Sequence, residues 1–137
     1  MTGLVVDASV TAAWLFEDET TAFSERMLDR CGVETAWVPA LWVLETANVL
    51  LSAQRRGRVT GEQRKRLVEA ALSLPLMIDR DPVSMATLDS LADRFGLSAY
   101  DAAYLELAIR RSLPLATRDR KLVQAAKGAR HPVETGP

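Results

Sequence analysis

The chain has 137 residues, enough for a single domain spanning residues 1–137 that buries roughly 68% of the surface its unfolded form exposes. Its 17 basic and 18 acidic residues nearly cancel, so total charge marks it neither for nucleic acid nor for an acidic surface. One cysteine, Cys31, and one histidine, His131, exclude a disulfide framework and thiolate or Cys/His zinc sites, and suit a reducing compartment.

The opening MTGLVVD lacks the basic flank and apolar core of a secretory signal, which makes a cytoplasmic location the expectation. Leu4 to Val6 then form a short β-branched run closed by Asp7, and the spacing Val10, Ala13, Trp14 is helical, so a strand passes directly into a helix. ETTAFSERMLDRCG reads as a second amphipathic helix stopped by Gly32, and TAWV as a second strand ended by Pro39. The weakly charged stretch 35–54 contains Pro39, Glu45 and Asn48, which argues for a buried helix from Ala40 to about Gln54 rather than a membrane span.

Gly57 breaks that helix, and Thr60 with Gln63 makes a capping box for the next, whose stripe of Leu67, Val68, Ala71 and Leu72 runs up to Pro75. LMI at 76–78 is a third strand, followed by Asp81 and Pro82 as N-cap and first-turn pair of a helix that reaches Phe95 and stops at Gly96. A helix from Ala99 to Arg111, a fourth strand PLAT and a last helix from Asp119 to near Gly128 complete the pattern, with HPVE as a fifth strand or frayed end. At least one helix separates each strand from the next, so the fold class is α/β, three layers, with a parallel sheet of four to five strands flanked by helices. Arg55, Arg56, Arg58, Arg64, Lys65 and Arg66 crowd one helix-helix corner, readable equally as a solvated turn or as a phosphate-contacting patch.

Four carboxylates stand out, and three have an ordinary explanation as helix caps. Asp7 and Asp119 each precede a helix, and Asp101 completes a Ser98-x-x-Asp capping box. The helical wheel argues against leaving it there, because Leu105 and Ala108 flank Asp101 while Glu106 and Arg110 fall on the far side, so the charge points at packed structure. Glu45 is the only charged residue from Thr35 through Gln54, with Asn48 one turn on. In a parallel α/β sheet, strand carboxyl ends and helix N-termini share one edge, so Asp7, Glu45, Asp101 and Asp119 converge there, with Asp7, Glu45 and Asp101 expected within one cation's reach. Such a set favours a hard cation, Mg²⁺ or Mn²⁺, over four mutually repelling carboxylates.

The segments VVDASV (5–10), VPALWVLETANVL (38–50), GLSAYDAAYLELA (96–108) and PLATRDRKL (114–122), in this order and spacing, resemble the PIN domain family, and within it the VapC-like toxins of toxin-antitoxin pairs. The resemblance covers nearly the whole chain. It implies a PIN-like fold and a Mg²⁺-dependent ribonuclease whose acidic pocket is Asp7, Glu45, Asp101 and Asp119, assisted by Ser9, Asn48 and Thr117. It also implies a homodimer and a VapB-like antitoxin that forms a toxin-antitoxin hetero-oligomer and lays a C-terminal segment, often with an arginine, across the acids. Beyond Asp119, Leu122 and its neighbours offer no further acid, so one ion or two stays open, as do an RNA-processing role and a non-catalytic PIN-like module.

Other phosphate chemistries fit less well. An Asp-x-Asp phosphatase needs an acid where Ser9 stands, a phospho-receiver needs an acidic pair after the first strand, and a histidine-pair ribonuclease needs a second histidine. The tryptophans Trp37 and Trp42 read as core.

Overall fold

The structure, a computed structural model, describes residues 2–136. Its strands are β1 (Gly3–Val6), β2 (Thr35–Pro39), β3 (Leu76–Asp79), β4 (Leu115–Ala116) and β5 (Val133–Glu134), all parallel and ordered β3-β2-β1-β4-β5. The helices among the described residues are α1 (Ala8–Leu15), α2 (Ala22–Cys31), α3 (Leu41–Arg55), α4 (Gly61–Leu72), α5 (Met85–Phe95), α6 (Ala99–Arg111) and α7 (Arg120–Gly128).

The alternation along β1 divides the core in two. Leu4 and Val6 pack with Val10, Phe23, Met27, Trp42 and Leu50 from α1, α2 and α3, whereas Val5 packs with Tyr104, Leu105, Leu115 and Leu122 on the α6 and α7 side. Burial of each of the aliphatic side chains among them contributes about 1.5–3 kcal/mol of transfer free energy. No helix among the described residues is long and apolar enough to cross a membrane.

Strand order places the site. From β1 the chain steps outward to β2 and β3, then returns through α5 and α6 to add β4 on the other side of β1. The order reverses between β1 and β4, and ligands of open parallel sheets bind beyond the strand carboxyl ends at such a point. The backbone locks the two strand ends together there, with the Asp7 N–H donating to the Ala116 carbonyl at 3.1 Å.

Most boundaries follow local chemistry. The Thr60 and Gln63 box forms with both arms, and Gly57 and Gly96 take left-handed conformations (φ 75° and 65°) that end α3 and α5. Three expectations are corrected. The second helix begins only at Ala22, capped by Thr21, because residues 17–19 form a 3-10 turn that sends Glu19 to Arg58 and Arg118. The cap of α5 is Ser84, whose hydroxyl oxygen accepts the Thr87 N–H; Asp81 instead pairs with Arg110 (3.3 Å) and Arg111 (3.6 Å). Finally, α3 is not buried all round: Leu44 is 75% exposed and Val43 48% exposed, because α3 packs on one side only.

The charged side of α6 also differs from the helical wheel. Glu106 is buried under Arg110, which donates to it at 2.7 Å. Arg110 and Arg111 both reach Asp79, buried at the end of β3, at 2.8 and 2.7 Å, and Arg111 stacks over the Trp37 ring. The wheel gives angle but not depth, and α6 is buried along residues 102–108 on every side.

Candidate functional site

Asp7 sits at the strand-to-helix join and does cap α1, with its Oδ1 accepting from the Val10 N–H at 3.1 Å. Its carboxylate has further partners. Ser9 donates its hydroxyl to Oδ1 at 2.6 Å, and Thr117, beyond β4, donates to Oδ2. Each hydroxyl oxygen in turn accepts a backbone N–H, Ser9 from Arg118 and Thr117 from Asp119, both at 2.9 Å. Those accepted bonds leave each hydroxyl proton free for the carboxylate, so the loop after β4 fixes Asp7's orientation. Burial pushes the Asp7 carboxyl up to about 6 despite the Ser9, Thr117 and Val10 hydrogen bonds, and Asp119's charge adds to the rise.

Asp101 lies in the first turn of α6. Ser98 caps that helix, its hydroxyl oxygen accepting the Asp101 N–H at 3.1 Å, but the reciprocal bond from the Ser98 N–H to the carboxylate, present in the Thr60 box, is not formed. The cap is thus made by Ser98 on the Asp101 N–H, and the reciprocal backbone arm of a capping box does not hold the Asp101 carboxylate. Burial, with Asp119's charge behind it, raises that carboxyl above the ordinary range, while Ser98 and Lys121 offset only part.

Glu45 lies half-buried on α3, and its Oε1 accepts the hydroxyl of Tyr104 at 2.6 Å. Burial raises its carboxyl, the Tyr104 bond draws it down, and Asp101's charge raises it again. Tyr104 was not among the residues expected from the sequence. Its hydroxyl is pushed up by burial and by Glu45, with Asp7 and Asp101 adding to the rise, so one phenol feels three of the acids. The available signal was its position three residues after Asp101, one turn along the same helix. Asp119 caps α7, accepting from the Lys121 N–H at 2.8 Å. Asn48 lies exposed one turn beyond Glu45.

Among the described residues, no three Asp, Glu, His or Cys side chains are gathered closely enough to hold a metal ion as they stand, so the expected trio within one ion's reach is not preformed. Two of the three are engaged elsewhere, Glu45 with Tyr104 and Asp7 with two hydroxyls and a backbone N–H, and Asp119 is turned to its own helix. The donors nonetheless fit a hard cation in kind. They are all oxygen, and Asp7, Glu45 and Asp101 each hold a proton more tightly than a free carboxyl, a condition that a nearby cation reverses.

A three-layer α/β protein with coupled carboxylates at the switch point of a parallel sheet is thus the class defined by fold and site. A family model described as "PIN domain" matches residues 4–128, and the chain belongs to that family. Similar solved structures agree in fold. PAE2754 from Pyrobaculum aerophilum is 26% identical with a TM-score of 0.74, the match covering 98% of this chain and 90% of that one. VapBC2 from Rickettsia felis, bound to a DNA fragment from the promoter, is 14% identical with a TM-score of 0.73, covering 99% and 100%. FitAcB from Neisseria gonorrhoeae is 23% identical with a TM-score of 0.67, covering 95% of each chain. No curated protein matches the sequence significantly.

Proposed function

We propose that this PIN domain is a metal-dependent endoribonuclease, Mg²⁺ being the cation its oxygen donors favour and Mn²⁺ an alternative, and that it acts as the toxin of a VapBC-type pair in the cytoplasm. The observation that carries the reading is the placement of Asp7, Glu45, Asp101 and Asp119 on α3, at the first turn of α6 and just beyond the carboxyl ends of β1 and β4, where Asp119's charge raises the Asp7 and Asp101 carboxyls and Asp101's raises Glu45. Asp7, Asp101 and Asp119 would hold the cation, and Glu45 would bind or orient it. When bound, the cation supplies polarisation of a phosphoryl oxygen and a lowered pKa for an attacking water. The chain's own part is positioning: Ser9 and Thr117 aim Asp7, Tyr104 aims Glu45, and Asn48 offers an amide beside it.

The presence of VapBC2 among the structurally similar proteins supports an antitoxin partner. A homodimer in a toxin-antitoxin hetero-oligomer accords with the uncovered apolar side of α3. The test is cleavage of end-labelled single-stranded RNA by the purified protein. Mg²⁺ should produce fragments ending in 5′-phosphate and 3′-hydroxyl, EDTA should stop cleavage, and Asp101→Asn should remove it while the circular dichroism spectrum stays native. Full cleavage by Asp101→Asn, or cleavage indifferent to EDTA, would overturn the reading.

A further inference from the structure

One face of α3 leads from the acidic site to the basic corner. With roughly 100° between successive residues, Ser52 and Arg56 project within about 20° of Glu45, and Asn48 stands about 60° to one side. Asn48, Val49, Ser52, Ala53, Arg56 and Arg58 line a cavity of ≈ 320 Å³ along this face. Asn48, Ser52 and Arg56 are spaced one turn apart, about 6 Å along the axis. That step is close to the one between successive phosphates of an extended strand. An amide, a hydroxyl and a guanidinium thus follow one another at phosphate spacing.

The two arginines of this cavity differ. Arg58 is held by Asp18 at 2.8 Å and Glu19 at 2.9 Å and lies over the Phe16 ring, so its charge is already spent and it serves as a wall. Arg56 is exposed and enters no ion pair among the described residues. The adjoining side of α3, with Trp42, Val43 and Leu50 facing Leu72, is apolar and offers a phosphate nothing.

We propose that Asn48, Ser52 and Arg56 form a track for the sugar-phosphate backbone of single-stranded RNA whose scissile phosphate lies at the Asp7, Glu45 and Asp101 pocket. The proposal rests on the nuclease reading and extends it to a direction of approach and to a role for one member of the basic corner. Extended single-stranded nucleic acid is the class that a narrow polar row ending in one free cation suits, since a charged groove following the backbone is how such strands are held without base-specific contacts.

The test uses the full chain carrying Asp101→Asn, so that RNA stays intact, with a short fluorescent single-stranded RNA read by anisotropy at several salt concentrations. Arg56→Ala in that background should weaken binding several-fold and reduce the slope of log affinity against log salt by about 0.7, the value of one phosphate contact on a single strand. Ser52→Asp, which puts a negative charge into the track, should weaken binding at least as much. Lys127→Ala, near the end of α7, should leave affinity unchanged. In the active chain Arg56→Ala should raise KM for RNA and leave kcat near its parent value. Parent-like affinity and salt slope in Arg56→Ala would overturn the track while leaving the nuclease reading intact. A change confined to oligomeric state on size exclusion would do the same, assigning the face to protein contact. Failure of the active parent to cut any RNA removes the nuclease reading itself, and the track with it.

Discussion

The phenol of Tyr104, buried on α6, donates to Glu45 Oε1 on α3 at 2.6 Å, and so ties a helix on one side of the sheet to a helix on the other. This bond fixes a carboxylate that would otherwise swing on a flexible stem. It also draws the Glu45 carboxyl down against the upward push of burial and Asp101. Tyr104→Phe keeps the ring and removes the bond. The expected cost in stability is about 1 kcal/mol. RNA cleavage should fall by about tenfold, the low end of the loss when a partner that orients a metal-binding carboxylate is removed. Its acid limb should move to higher pH, because Glu45 loses the interaction that favours its charged form. A parent-like pH profile in this variant would show that the phenol only fills space.

Asp7 is held at a cost to the fold. Its carboxyl is raised from 3.8 to about 6, so between those values the folded chain binds the proton more tightly than the unfolded chain does. Stability contributed by Asp7 therefore falls as pH rises through that window and stays reduced above it. Asp7→Asn should remove cleavage and yet make the metal-free protein more stable at pH 7.5, on the order of 1–3 kcal/mol from a shift of this size. The gain should shrink toward pH 4. Urea unfolding of both proteins at the two pH values checks this, and a variant less stable at pH 7.5 would contradict it.

The buried Asp79 works with the opposite sign. Hydrogen bonds and charge from Arg110, then Arg111, hold its carboxyl below the ordinary 3.8 despite burial. The unfolded chain takes up this proton first, so the stabilisation is full above about pH 5 and is lost as pH falls below that through the folded pKa. Asp79→Asn should cost about 2 kcal/mol at neutral pH, less than for a fully buried pair because both arginines are partly exposed. It should also make the acid limb of the stability curve shallower. RNA cleavage per folded molecule should stay near the parent value, since Asp79 contacts none of the four acids' partners.

Much of this was legible in the sequence, for local reasons. The Thr60 box, the stops at Gly57 and Gly96, the strand at Val5 and the bounds of α6 depend on neighbours within a turn or two, and each was read correctly. The cap of α5 was not, because the competition between Asp81 and Ser84 is decided by Arg110 and Arg111, about 30 positions away. The burial of Glu106 escaped because a helical wheel gives angle and not depth, and α6 is buried along residues 102–108. At the candidate site, the sequence offered the four acids but not how they are held: Thr117 reaches Asp7 across 110 positions and Tyr104 reaches Glu45 across 59. Those bonds hold Asp7 and Glu45 to partners of their own, and among the described residues no three acids form a ready-made cage.

The proposed nuclease requires these separated acids to share a cation. Isothermal calorimetry with Mg²⁺ at pH 6, in two buffers of different ionisation heat, tests it directly. Metal binding displaces protons from ligands that hold them. With the Asp7 carboxyl at about 6, the parent should bind Mg²⁺ with measurable proton release, and Asp101→Asn should lose most of the affinity. Equal Mg²⁺ affinity in the parent and Asp101→Asn, or binding with no proton release, would contradict the account.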